Sequence, residues 1–403
     1  MRLLIISNLY PPIQRGGAEQ VASRITSELF VRGHEVSVLS TMPYAGMGSL
    51  RSRVTETDLE PIERFYPLNF YHTLNDHRYP APVRAAWHMV DLWSPIPRRV
   101  TLDVIHRRAP EAVLTHNLKG IGLQVAAAIR ASGIPHVHTL HDVQLSIPSG
   151  LLIAGEERGP FNSTPLRLMY EAATGRAVGS PHVVISPSRF LADFYRERGF
   201  FPKSRIEVMP NPAPDMGTRP QTTRQEGPLR LLYVGQLEPH KGIRFLLESL
   251  EGLDIPFHLH VAGEGSLAAF VSDRAKHDKR ITYHGFVSQE PLMKLLALCD
   301  ATLVPSLCYE NSPTVIYESL AVGTPVVASR IGGVGELIRD GENGFLYEPG
   351  QATGLREALT RMAAKVGDFR AREGEIRKGM DDYALPKYVD RLEKLIGEVK
   401  DVG

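Results

Sequence analysis

Leu3-Leu4-Ile5-Ile6-Ser7-Asn8-Leu9-Tyr10-Pro11-Pro12-Ile13-Gln14-Arg15-Gly16-Gly17 decides the fold. A short aliphatic run followed by a loop of prolines and glycines reads as a buried strand feeding a helix, because strands covered on both faces are continuously apolar. The helix is expected from about Gly17 to Arg32 with a stop at Gly33, and Val36–Leu39 is the next strand. That makes one βαβ unit, whose strands run parallel. Further strands are expected at Ala112–Thr115, His136–Leu140 and His182–Ser186, with helices beginning near Gly120 and Ser188. Between Thr41 and Pro110 the periodicity fails, and so long a structureless loop is improbable; an elaboration with its own short helices is expected there. After Met209-Pro210-Asn211-Pro212-Ala213-Pro214 and a polar connector to Pro228, the scheme restarts. Strands are expected at Leu229–Gly235, Phe257–Ala262, Ile281–His284, Pro325–Ala328 and Gly344–Tyr347, with helices at Gly242–Leu250 and Leu267–Lys276. The fold class is α/β, with two doubly wound Rossmann-like domains. Ligands of such sheets bind beyond the carboxyl ends of the strands, so a cleft between the domains is the expected site.

A chain of 403 residues suits two cores, since one rarely grows past roughly 250–300 residues. With 43% apolar and 23% charged residues, the composition is that of an ordinary folded protein. No apolar run approaches the length of a membrane span, and the first residues are too short for a signal sequence; a cytoplasmic protein is expected. Only Cys299 and Cys308 are present, which rules out a disulfide framework. The net charge of +1 argues against a nucleic-acid binder. Residues 1–205 carry 23 Arg and Lys against 17 Asp and Glu, and the remainder 23 against 28. Arg98, Arg99, Arg107 and Arg108 lie near Trp87 and Trp93, a pattern that suits either a solvated surface or contact with anionic lipid or a phosphorylated acceptor.

Four segments carry chemistry. In Glu310-Asn311-Ser312-Pro313-Thr314-Val315-Ile316-Tyr317-Glu318, Ser312 before Pro313 reads as an N-cap with proline at the first helical position. The amides of Thr314 and Val315 are then free donors at a positive helix end, a place for a diphosphate. Glu310 and Glu318 flank that nest, and carboxylates are acceptors for sugar and ribose hydroxyls. Gly235-Gln236-Leu237-Glu238-Pro239-His240-Lys241-Gly242 follows a strand, so Lys241 can reach a phosphate as a point charge. Gly16-Gly17 lets backbone approach a ligand closely. His136-Val137-His138-Thr139-Leu140-His141-Asp142 admits two readings, a metal site or structural histidines.

On these motifs the sequence resembles glycosyltransferase family 4, retaining group 1 enzymes of the two-Rossmann-domain GT-B type that use nucleotide-sugar donors. The resemblance covers nearly the whole chain. It implies an acceptor domain at 1–208, a donor domain at 209–384, and a last helix, about Pro386–Val399 within 385–403, that crosses back to the first domain. The family's Glu-seven residues-Glu signature matches Glu310 and Glu318. By resemblance Glu318 holds the donor ribose, while Glu310, Asn311, Ser312, Pro313, Thr314 and Val315 line the sugar-diphosphate pocket. Lys241 belongs to the phosphate loop, where the family usually has an arginine at the place of Gln236; His240 or Arg244 are candidate substitutes. Gly16 and Gly17 match the glycine loop, Gly263 a turn facing the cleft, and Phe286 and Val287 the segment that meets the base. Histidine 141 lines the active site, with His116 and Asp142 on the acceptor side. His141, Glu310 and Lys241 are the catalytic assignments.

The reading is therefore a retaining transferase moving a hexose-type unit from a nucleotide diphosphate sugar to an acceptor hydroxyl, in cell-envelope polysaccharide or glycolipid synthesis. No cofactor or metal is expected, because no Asp-x-Asp pair occurs. Expected partners are the donor, a glycan or lipid-linked acceptor, and a membrane surface met through the Arg-rich first domain, with no nucleic acid. A nucleotide-sugar epimerase or hydrolase and a non-catalytic nucleotide-sugar binder remain alternatives. A nicotinamide dehydrogenase is disfavoured, because the second strand ends in Ser40-Thr41 without an acidic residue.

Overall fold

A computed structural model describes residues 1–55, 61–159, 162, 164–214 and 227–400. Most of the polar connector before Pro228, and residues 56–60 of the Thr41–Pro110 elaboration, lie outside the described residues. The chain forms two compact units: residues 1–151, 158–211 and 385–403 in the first, and 152–157 and 212–384 in the second.

In the first unit, β1 (Arg2–Ile6), α1 (Gly17–Val31) and β2 (Glu35–Thr41) make the expected βαβ start. They are followed by β3 (Arg53–Thr55), β4 (Ile62–Phe65), α2 (Ala81–Trp93), α3 (Pro95–Arg108) and β5 (Ala112–Thr115). Then come α4 (Gln124–Ser132), β6 (His136–Thr139), α5 (Pro165–Val178), β7 (Val183–Ser186), α6 (Arg189–Arg196) and β8 (Arg205–Val208). The eight strands are ordered β3-β4-β2-β1-β5-β6-β7-β8, parallel except for the β3–β4 edge pair. Leu3, Ile5, Val38 and Leu114 are buried in its core, as the continuous aliphatic runs require.

The elaboration after Thr41 contributes two edge strands and two helices of 13 and 14 residues, longer than expected. Charged residues disguise β4, because Glu63 is buried and held by Arg107 Nη2 at 2.7 Å and Arg108 Nε at 2.9 Å. The helix expected from Gly120 starts at Gln124, because residues 118–122 form turns whose Gly120 amide donates to buried Asp91. The C-terminal helix, Leu385–Lys400, belongs to this unit. Its Tyr388, Val389, Leu392, Leu395 and Ile396 stripe enters the core beside α1, and Arg32 reaches Asp390 at 2.6 Å and Glu393 at 2.8 Å.

In the second unit, β9 (Leu229–Val234), α7 (Ile243–Leu250), β10 (Phe257–Ala262), α8 (Ala268–His277), β11 (Ile281–Gly285) and α9 (Gln289–Leu298) precede β12 (Ala301–Val304) and α10 (Thr314–Ala321). They are followed by β13 (Val326–Ser329), α11 (Val334–Leu337), β14 (Gly344–Tyr347), α12 (Ala352–Ala364), α13 (Val366–Ala371) and α14 (Glu373–Lys378). The sheet is wholly parallel in the order β11-β10-β9-β12-β13-β14. Strand order reverses between β9 and β12, so the loops leaving those two strands are the switch point at which such sheets bind ligands.

Candidate active site

The two loops at that switch point are stitched by backbone. Both Leu307 and Cys308 amides donate to the His240 carbonyl, at 2.9 and 3.2 Å. This closeness puts Lys241 Nζ 2.7 Å from Glu310 Oε1, the oxygen that also accepts from Ser306 Oγ at 2.7 Å. Both side chains are mostly buried. Burial alone would raise the Glu310 carboxyl, but attraction and hydrogen bonding from Lys241, with the Ser306 hydroxyl, hold it below its ordinary value. Burial pulls Lys241 down and Glu310 more than offsets it, so the ammonium is held charged. The Glu310 carbonyl accepts from the Gly333 amide at 2.7 Å. Gly332, at φ +58°, approaches so closely that a Cβ there would lie 2.1 Å from the same oxygen. A segment that the sequence does not betray also braces this loop: Ala154 N donates to Leu307 O and Tyr309 N to Leu152 O, each at 2.8 Å. Residues 152–157 thus belong to the second unit although they lie between β6 and α5 in sequence.

Helix α10 begins at Thr314, so Pro313 holds the capping position expected of Ser312. The Ser312 hydroxyl instead pairs with the Tyr317 hydroxyl at 2.6 Å. Thr314 and Val315 occupy the first two helical positions, where amides have no partner within the helix, and Glu318 follows one turn later, half-buried. The loops after β10 and β11 meet as well, with Gly263 N donating to Gly285 O at 2.7 Å next to Phe286 and Val287. Gly263, at φ +144°, has room for no Cβ: Gly235 O would be 1.9 Å away. Phe286 is exposed. Gln236 is exposed too, and its carbonyl accepts from the Tyr233 hydroxyl. Arg244, the other candidate, stacks on Phe270 with its guanidinium carbon 4.0 Å from the ring centre. His240 acts on Glu310 electrostatically, adding to the pull of Lys241.

At the carboxyl edge of the first sheet, His116 Nδ1 lies 3.0 Å from His141 Nε2. Burial keeps both neutral, with His141 lowered to about 4. His136 and His138 both turn to the Thr115 hydroxyl at 2.8 Å. The four histidines therefore spend nitrogens on Thr115 and on each other, and among the described residues no group of three His, Cys, Asp or Glu is arranged to hold a metal ion. Asp142 accepts from the Gln144 amide at 2.8 Å. Burial raises its carboxyl to about 6, with Glu19 adding to the rise while the amide and Lys119 oppose it. Glu19 is the third helical residue of α1 and accepts from the Gly16 amide at 2.9 Å, so the glycine loop carries a buried acid toward Asp142. Sequence reading missed Glu19, Lys119 and Ser306; only the Gly16-to-Glu19 capping spacing signalled the first.

Both units match known families along most of their length. Residues 217–376 match the family profile "Glycosyl transferases group 1" and residues 16–212 match "Glycosyl transferase 4-like domain". The chain belongs to the group 1, GT4-like glycosyltransferases. Glycogen synthase of Mycobacterium tuberculosis is 28% identical over 386 residues, covering 89% of this glycosyltransferase and 85% of that enzyme. The putative teichuronic acid biosynthesis glycosyltransferase TuaC of Bacillus subtilis is 25% identical, covering 90% and 89%. Among solved structures, sucrose-phosphate synthase from Thermosynechococcus elongatus superposes with TM-score 0.76 at 18% identity over all of both chains. Anabaena HepE in complex with UDP gives 0.72 at 17% identity over 99% and 100%; these likenesses establish the GT-B fold. The reaction class of this glycosyltransferase is sugar transfer from a nucleotide-sugar donor.

Proposed function

We propose that this enzyme is a retaining, metal-independent glycosyltransferase whose second unit binds the nucleotide sugar and whose first unit presents the acceptor hydroxyl. The observation that carries the reading is the Lys241–Glu310 ion pair, held at 2.7 Å beside the unpartnered helical positions Thr314 and Val315. The lysine and those amides supply positive potential where the diphosphate leaving group gains charge, which is the arrangement that most lowers such a barrier. With that charge met by the protein, no metal is needed to bind the donor. Glu318 holds the ribose hydroxyls, Glu310 positions Lys241 and the sugar, and Phe286 and Val287 border the base. His141, fixed by His116, stays neutral and offers a hydrogen bond to the sugar, with Asp142 toward the acceptor. The UDP bound by HepE and the envelope polymer named for TuaC favour a sugar diphosphate donor and a cell-envelope acceptor.

Calorimetry of UDP-, GDP- and ADP-sugars in chelator tests the donor half. One sugar nucleotide is expected to bind without metal, and Glu318→Ala to weaken it about tenfold or more, the worth of one charge-assisted contact. Unchanged affinity in that variant removes the ribose assignment, and binding only after metal is added removes metal independence. The anomeric configuration of the product, read by NMR, decides retention; a glycosyl group trapped on Glu310 would replace the same-face route with a covalent one.

A further inference from the structure

The first unit exposes an apolar face that neither its core nor its proposed site uses. Helix α2 shows Pro82, Ala85, Ala86, Met89 and Trp93 outward at helical spacing, with Met89 56% and Trp93 57% exposed. Helix α5 begins with Leu166, Leu168 and Met169, which are 62%, 59% and 68% exposed. The two helices are neighbours, joined by an edge-on contact between His88 and Tyr170 with ring centres 6.4 Å apart. Met89 and Met169 are the sequence neighbours of that contact, so the exposed apolar residues of the two helices lie on adjoining elements. Scattered exposed leucines are ordinary, but five large apolar side chains on two adjoining helices mark an interaction surface.

Charge identifies the occupant. The acids of α2 and α5 are both buried: Asp91 accepts from the Gly120 amide, and Glu171 accepts from Ser146 Oγ at 2.6 Å. The exposed charges on those helices are therefore Arg84 and Arg176, joined by Arg98 and Arg99 at the start of α3, just beyond Trp93. Arg107 and Arg108, counted with that cluster from sequence, turn instead to Glu63, and Trp87 is buried with its Nε1 donating to Tyr71 O at 2.8 Å. A face of Leu, Met and Trp accompanied by exposed arginines is complementary to an anionic bilayer, where acyl chains take the apolar residues, tryptophan favours the interface and arginines meet phosphates. Among the described residues no helix is long and apolar enough to cross a membrane. We propose that the α2–α5 face docks peripherally on an anionic phospholipid surface, which would hold a lipid-linked acceptor near the enzyme.

The chain's two tryptophans make the test selective, because only Trp93 is exposed. The full-length protein is mixed with vesicles of phosphatidylcholine alone or with phosphatidylglycerol, and binding is read by co-sedimentation and by quenching from brominated acyl chains. Expected are binding to the anionic vesicles only, loss of binding in high salt, and quenching that Trp93→Phe abolishes. Leu168→Glu and Met89→Glu, surface changes whose unaltered melting confirms the fold, should each weaken binding about tenfold or more. Absence of sedimentation with anionic vesicles overturns the proposal. So does a concentration-dependent dimer in which Trp93 becomes shielded without lipid, since the face would then join two copies. Nucleotide-sugar binding measured on the same samples keeps this outcome separate from the donor assignment.

Discussion

Replacing Lys241 by methionine should strand a buried carboxylate, and the structure sets the size of the effect. Lys241 Nζ and Glu310 Oε1 are 2.7 Å apart, with side-chain exposures of 28% and 12%. Removing one member of a buried pair costs roughly 3–5 kcal/mol; the partial exposure here argues for the lower end, about 3 kcal/mol. The double variant Lys241→Met/Glu310→Gln removes the stranded charge, while the glutamine carbonyl still accepts from Ser306 Oγ. Its cost should be about 1 kcal/mol, about 2 kcal/mol less than that of Lys241→Met alone. In a unit of this size each kcal/mol moves the melting temperature by roughly 2–4 °C, so calorimetry should show a fall of about 6–12 °C in the second unit for the single variant and about 2–4 °C for the double. The pH dependence changes sign as well. In the wild type the Glu310 carboxyl is lowered, so its contribution is full above its unfolded value and is lost as pH falls through the folded one. Without Lys241, burial, the largest influence, is left opposed chiefly by Ser306 and His240, and the carboxyl rises. Lys241→Met should then gain stability relative to wild type as pH is lowered toward 5. Equal deficits in the single and double variants, or parallel pH profiles, would refute the ion pair as the organiser of this loop. Neither variant should regain sugar transfer, because both lack the charge that meets the diphosphate.

Asp142→Asn should remove an acidic limb near pH 6 from the kcat/KM profile, since burial places the wild-type carboxyl at about 6. In the wild type that group stabilises the fold below its unfolded value near 4, and the contribution is lost as pH rises through 6; the asparagine variant should show a flatter melting profile over that range, and an unchanged limb would reassign it. Gly332→Ala should cost at least about 2 kcal/mol, combining the positive φ with a methyl 2.1 Å from Glu310 O. Donor binding should fall with it, as a titration would show; normal binding would mean that the Glu310 backbone is not held by this approach.

Strands read most cleanly where both faces are buried. Ala112–Thr115 and Gly344–Tyr347, buried throughout, match residue for residue, and so does Phe257–Ala262, where His258 and His260 alternate with buried Phe257, Leu259 and Val261. The pattern fails at β4, where Ile62-Glu63-Arg64-Phe65 is buried although half of it is charged. Glu63 is tolerated there chiefly through Arg107 and Arg108, more than 40 residues later, and the same pairing removes half of the arginine cluster that the sequence suggested. Hydropathy records a residue's solvation, not the partner that replaces it.

The candidate site shows the same division between what a side chain announces and what backbone supplies. Glu310, Glu318 and Lys241 are conspicuous because buried switch-point loops seldom carry charges without a use for them. What sets Lys241 on Glu310 is anonymous: a His240 carbonyl taking two amides, Gly332 packed on a carbonyl, and the Leu152–Glu157 segment laced along Leu307 and Tyr309. Any residue with an amide could make most of these bonds, so composition and spacing carry no trace of them. Gln236 follows from this. A departure from the usual arginine looks like half a lost clamp in the sequence, yet the loop that bears it is anchored through the Gln236 carbonyl to Tyr233 and through His240 to the Glu310 loop. The backbone that aims Lys241 is thus held through a carbonyl that any residue at position 236 would supply and through the His240 carbonyl.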